Sequence, residues 1–441
     1  MKIFVPQQHF VAVSYTLNCL FKEFLRVNVE VIPSDDQDDF LFAAGDREVI
    51  IANVFFSSAN REELYQRDNI PDSVDDASVE FGNKNFPLLS IYGKSALEFS
   101  GENRVEVKSD LIGNTFFMLS RWEEAVITDR DAHGRFDYRL SLAVKKGFYQ
   151  RPVVNEYVEF LWELCLFLKP SLRRKERNYT CTVTSDIDQL RRWKRPKLLG
   201  ESLYLHLTAG KINRIGVDVV NYLTSRRNSR KDHYNNLHYL VEKTHPFQTV
   251  FYLKTGYSHP KHDKNRYLLE DYSMELERAM ENGVEFGIHP HYDTFDDPEK
   301  LKADQEKLAL FLKKPVTRVR QHYLRFSVPE TWVHQESCGL KEDSTMIFPH
   351  RGGFRNGVCY PFPVFDFKKN RQPDLYESPL ILMETAYLNS GFNQLLSDSE
   401  RLIAEVKKYG GNFVLLWHNG NLVYSDDRKY FEKLLELAKP D

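Results

Sequence analysis

The stretch Tyr179-Thr180-Cys181-Thr182-Val183-Thr184-Ser185-Asp186-Ile187-Asp188 reads as a buried β-strand that runs straight into two carboxylates. Beyond it the chain alternates. Residues 236–242 have helical spacing, Gln248-Thr249-Val250-Phe251-Tyr252-Leu253 is a second strand, and 274–281 is a helix stopped by Asn282-Gly283, glycine supplying the left-handed cap. Glu285-Phe286-Gly287-Ile288 follows as a strand, then a helix over 298–311 and the strand Arg318-Val319-Arg320. Leu380-Ile381-Leu382-Met383, a helix over 399–408 and Phe413-Val414-Leu415-Leu416-Trp417 complete the series. This pattern predicts an α/β fold with a mainly parallel sheet or (β/α) barrel.

Upstream the texture differs. Ile3-Phe4-Val5 and Val49-Ile50-Ile51-Ala52 read as strands, with Leu17, Leu20, Phe21, Phe24 and Leu25 at helical spacing between them. Residues 62–76 read as loop, 111–128 as a helix, and 155–168 as a stronger amphipathic helix stopped by Pro170. The basic run Arg173-Arg174-Lys175-Glu176-Arg177 reads as a linker. Two units are expected: residues 1–172, a smaller α/β or α+β accessory domain, and 179–441, whose basic, partly helical insertion covers about 190–232.

Lys and Arg number 60 against 63 Asp and Glu, so the net charge of −3 makes no general case for nucleic acid. The basic stretches Arg191-Arg192-Trp193-Lys194-Arg195-Pro196-Lys197 and Arg226-Arg227-Asn228-Ser229-Arg230-Lys231 carry no nucleic-acid motif. They read as a solvated insertion or as a contact with anionic glycan, lipid phosphate or a membrane surface. The 5 cysteines are scattered with no CxxC pair, which argues against a zinc ribbon or disulfide framework and suits a reducing compartment. With no signal-like apolar run at the N-terminus and no stretch of spanning length, the chain is expected to be cytoplasmic.

In α/β folds, chemistry collects at the carboxyl ends of strands. Four predicted strands end in reactive groups: Asp186 and Asp188; His289, His291 and Asp293; Arg320 and His322; and His418. Each alone has a structural explanation, as a cap, turn or ion pair. Their order and placement set them apart.

That order resembles the polysaccharide deacetylase (NodB-homology) family. Thr184-Ser185-Asp186-Ile187-Asp188 is similar to its first motif, and Gly287-Ile288-His289-Pro290-His291-Tyr292-Asp293 to its second. Arg320-Gln321-His322-Tyr323 is similar to the third, Asp343-Ser344-Thr345 to a later element, and Leu416-Trp417-His418 to the last. The loop Gly353-Phe354-Arg355-Asn356-Gly357 resembles an Arg-bearing loop of the family. The pieces Ser120-Arg121-Trp122-Glu123-Glu124 and His133-Gly134-Arg135-Phe136 resemble the N-terminal domain of a bacterial subgroup linked to surface-polysaccharide synthesis.

The resemblance implies a deacetylase-type (β/α) barrel, complete or distorted and seven-stranded, and metal-dependent hydrolysis of an N-acetyl group on a sugar or glycan precursor. A divalent metal, zinc with nickel or cobalt as alternatives, would polarise the amide and acidify water. Asp188 and His289 would be ligands. The third is open, with His322 or Asp293 ahead of His291. The resemblance makes Asp186 the general base, Arg320 the cation that holds it, the Tyr323 N–H an oxyanion donor and His418 the general acid. Glu384 would orient His418, and Arg355 and Trp417 would support the site or the substrate. The altered second motif motivates an alternative: a carbohydrate-binding pseudoenzyme of the same fold without turnover. A third reading is deacylation of a non-sugar amide.

Overall fold

A computed structural model describes residues 1–57, 61–255 and 267–440. The first 109 residues build a six-stranded mixed sheet in the order Glu30–Ser34, Lys2–Pro6, Phe40–Ala44, Arg47–Ile51, Arg104–Ser109, Gly93–Phe99. A two-stranded ribbon, Asp75–Phe81 with Lys84–Ser90, lies beside it. Most of these strands escape a sequence reading because they are short, half-exposed and mixed in direction, so no long buried run marks them. The expected helix over 111–128 is two helices, Leu111–Ser120 and Glu123–Val126, broken where Arg121 takes a left-handed conformation. Asp110 caps the first by accepting the Gly113 N–H.

Residues 180–416 build a curled nine-stranded sheet. Its order is Phe362–Pro363, Tyr376–Glu377, Glu342–Asp343, Arg318–Val319, Glu285–Ile288, Gln248–Leu253, Thr180–Ile187, Asn412–Leu416, Leu382–Met383. Every pairing is parallel except that of Phe362–Pro363 with Tyr376–Glu377. The strand pairings form an open series from one edge to the other, a half-barrel, where the resemblance leads one to expect a barrel. The two-residue strands at 342, 362 and 376 are too short to leave a periodic signal.

Thr180–Ile187 is central because its β-branched residues are buried on both faces. Helices on the connections cover the sheet, including Leu237–Thr244, Ser273–Glu281, Pro298–Leu312 and Phe392–Lys408. Pro298 starts its helix at a position where a missing N–H costs nothing, and Asp297 caps it by accepting the Lys300 N–H. One continuous apolar core runs from Ile3 to Ala438, and a second small cluster (Leu324, Ile347, Leu380, Met383, Val414, Leu416) lies under the carboxyl ends of the strands.

Candidate metal centre and cleft

The strand ends open into a cavity of about 560 Å³ lined by Asp186, Asp188, His289, His322, Tyr323 and His418 among others. Parallel pairing explains the convergence, because neighbouring strands in register deliver their carboxyl ends to one rim. Tyr252 pairs with Asp186, and Leu253 with both Ile187 and Ile288, which places Asp188 and His289 at equivalent steps.

Arg320, fully buried, is the hub. It donates from Nη1 to Asp186 Oδ1 at 3.1 Å and to Thr184 Oγ1 at 2.6 Å. From Nε it donates to the Ser344 carbonyl at 2.7 Å, and from Nη2 to Ser344 Oγ at 2.9 Å. Asp343-Ser344-Thr345 therefore serves to aim Arg320, and Thr345 Oγ1 also accepts the Gln321 N–H. The Arg320 guanidinium lies 4.4 Å from the Tyr252 ring centre, and Gly287 lets that ring lie close: a Cβ there would meet it at 2.6 Å.

His289 Nδ1 is 2.7 Å from the Arg320 carbonyl oxygen, so it carries the proton and leaves Nε2 as a lone pair. Nε2 sits 3.6 Å from both Asp186 Oδ2 and Asp188 Oδ1. Burial holds the imidazole down at about 4, against the pull of Asp186. His322 Nε2 accepts from the Lys254 ammonium at 2.9 Å and lies 3.5 Å from Asp188 Oδ1. Asp188, in turn, is 3.1 Å from Lys254 Nζ. Burial raises the Asp188 carboxyl, but Lys254 and the surrounding histidines outweigh this and hold it well below the carboxylate range.

Carboxylate oxygens and imidazole lone pairs facing one another repel unless a cation lies among them, and the Lys254 ammonium meets only part of that need, reaching Asp188 and His322 from one side. Beyond its ion pair with Lys254, the buried Asp188 Oδ1 accepts no hydrogen bond. One ligand atom from each of Asp188, His289 and His322 lies within 4.8 Å of the others, an oxygen and two imidazole nitrogens suited to zinc or a similar divalent ion. The residues fit a metal.

Of the candidates for third ligand, His322 is brought to this cluster. His291 instead donates from Nδ1 to Asp304 Oδ2 at 2.6 Å, because the chain turns after Pro290 toward the helix 298–312. Asp293 faces Arg325 at 3.6 Å. Neither joins the cluster found among the described residues.

His418 follows Asn412–Leu416, the strand that pairs with Thr180–Ile187, and its Nε2 lies 3.9 Å from Asp186 Oδ2 and 4.0 Å from Asp188 Oδ2. Its Nδ1 donates to Glu384 Oε1 at 2.8 Å, and its own main-chain N–H donates to the same oxygen at 2.9 Å. Burial lowers this imidazole, but Glu384, Asp186 and Asp188 outweigh it and raise it to about 10. Tyr323 and Leu324 both take left-handed backbone conformations, with φ of 59° and 54°. Such backbone is costly for side chains of this size and persists only where surrounding contacts hold it.

Arg355 and Trp417 also lie off the cavity lining. Arg355 donates to Glu124 and to the Ile347 carbonyl, tying residues 121–124 to the second sheet's loops. Trp417 is buried against Phe392 and Phe431. Among the cavity residues that the sequence did not single out as site residues are Lys254, His133 and Arg135. Lys254 directly follows the strand Gln248–Leu253, so the strand-end rule could have found it. His133 and Arg135 come from the N-terminal part. Arg135 donates to the Tyr323 carbonyl at 3.0 Å, and the His133 ring lies 4.7 Å from that of Tyr323. No local spacing signals a contact across 188 residues of chain.

Residues 1–170 match a family model described as a family of unknown function, DUF7033. No curated protein matches the chain. A similar solved structure is that of a protein from Mycobacterium smegmatis provisionally named a polysaccharide deacetylase. It is 12% identical, with 61% of this chain and 87% of that chain covered and a TM-score of 0.39.

Proposed function

We propose that the cleft hydrolyses an N-acetyl group on a sugar or glycan precursor, with Asp188, His289 and His322 holding a divalent metal. The observation that carries this reading is a pair of separately positioned groups beside the cluster: Asp186, fixed by Arg320, and His418, fixed by the Glu384 carboxylate, which favours the protonated imidazole. A divalent ion at the cluster would supply Lewis-acid polarisation of the amide carbonyl and a more acidic water.

The chain's own groups would do the rest. Asp186 takes a proton from water, since Arg320 leaves its Oδ2 facing the cluster. His418 Nε2 gives a proton to the departing amine, and the Glu384 carboxylate on Nδ1 keeps the imidazole in orientation. Leu324, Met383 and Leu416 form an apolar wall beside these groups, a fit for an acetyl methyl. Tyr323, 37% exposed as a residue and lining the cavity, offers its ring as a stacking surface for a sugar. In this reading residues 1–172 are an accessory domain whose His133 and Arg135 complete the cleft, and 179–441 form a deacetylase-type half-barrel.

Acetate release from N-acetylated glycan fragments tests it, with Asp186→Asn abolishing turnover while metal binding persists. Turnover unchanged in Asp186→Asn would remove that residue from the base role.

The position of Lys254 favours a second reading, a glycan-binding cleft without turnover in which the lysine ammonium is the resident cation. Metal titration separates the two.

A further inference from the structure

The insertion after the Asp186–Asp188 strand is folded inside out. Its helices, Pro196–Thr208 and Ile212–Arg227, pack on each other across a short turn. The residues they bury are polar: Ser202, His206, Asp218, Asn221 and Ser225. Ser202 donates to Asp218 at 2.5 Å, and Tyr424 donates to the other Asp218 oxygen at 2.8 Å. His206 lies 2.9 Å from the Tyr424 hydroxyl, and Arg214 pairs with Asp427 at 2.7 Å. These polar contacts anchor the hairpin to the body.

Its large apolar residues point the other way. Tyr204 is 68% exposed, Leu207 60%, Ile212 69%, Val220 60% and Leu223 58%. A surface helix ordinarily buries such a stripe. Ile212, Leu223 and Val220 fall on one side of their helix, opposite Asp218, Asn221 and Ser225, so the stripe is continuous. A contiguous apolar patch of this kind marks a surface that is covered in use.

Charge identifies the cover. Lys and Arg dominate residues 190–232, and of the acids there, Asp218 and Asp232 are buried and hydrogen-bonded, leaving Glu201 as the exposed one. Lys197, Lys211, Arg226 and Arg227 are exposed around the apolar stripe, in a chain of net charge −3. A second copy is a poor fit, because a two-fold contact would set this cationic stripe against itself. Apolar residues rimmed by Lys and Arg are what an interfacial helix presents to anionic lipid. We propose that the 196–227 hairpin docks the protein on an anionic membrane surface. Gln189, which lines the cleft, lies seven residues before the hairpin in the chain.

Vesicle flotation of the full chain tests it, with phosphatidylcholine vesicles alone and with added phosphatidylglycerol. The protein is expected to float with the anionic vesicles, and less at high salt. Arg226→Gln with Arg227→Gln should weaken binding at least about tenfold, and Ile212→Ser with Leu223→Ser should do likewise. Both pairs are exposed, so unchanged thermal midpoints serve as the control. If the apolar pair fails to fold, the arginine pair decides. Absence of flotation with anionic vesicles, or flotation unaltered in the arginine pair, overturns the proposal. So does a solution dimer that Ile212→Ser/Leu223→Ser converts to monomer, which would make the face a contact between copies.

Discussion

His289 Nδ1 donates to the main-chain carbonyl of Arg320 across 2.7 Å, and the side chain of the same Arg320 reaches Asp186. One residue therefore sets the tautomer of an imidazole with its backbone and the position of a carboxylate with its guanidinium. A ligand whose free nitrogen is aimed in advance loses little freedom on binding a cation.

Gly287 makes that arrangement possible by letting Tyr252 lie flat beneath Arg320. Gly287→Ala forces a methyl into the ring at 2.6 Å. The expected cost is about 1–3 kcal/mol of stability, read by urea unfolding, together with weaker metal binding. Unchanged stability would mean that the ring moves freely and does not support Arg320.

Glu384→Gln should bring His418 down from about 10 toward its ordinary value near 6.5, seen in an NMR titration of the imidazole. A histidine raised on folding contributes stability that is fully present below its unfolded value and is lost as pH rises through its folded one. The metal-free wild type should therefore exceed Glu384→Gln in stability most at pH 6 and below, with the gap closing toward pH 10. A gap that widens with pH would contradict the ion-pair assignment.

Arg355→Ala leaves the buried Glu124, which also pairs with Arg121, short of one cation. Removing one member of a buried charge network costs about 3–5 kcal/mol. Loss of a single cooperative unfolding transition, read by calorimetry, would further show that Arg355 couples residues 121–124 to the second sheet. A cost below ~1 kcal/mol would show that the network relaxes into water.

The long buried strands and their helices are legible in the sequence because burial on both faces leaves continuous apolar runs, as at Gln248–Leu253 and Glu285–Ile288. The two-residue strands and the mixed N-terminal sheet are not, since neither periodicity nor composition marks them. At the site, Asp186, Asp188, His289 and His418 are visible as polar residues ending strands. The choice among His322, His291 and Asp293 is not, because it depends on where the chain turns after Pro290 and on Asp304, 13 residues on in the next helix, capturing His291. Arg135 and His133 are invisible for a different reason: their partner Tyr323 belongs to the other half of the chain.

Calorimetric titration of the metal-free protein with zinc most directly tests the central claim, that Asp188, His289 and His322 form one cation site. The wild type should take up a single ion, His322→Ala should lose at least about tenfold in affinity, and Asp293→Asn should bind as the wild type does. No uptake by the wild type, or loss of binding in Asp293→Asn with His322→Ala unaffected, would contradict the account.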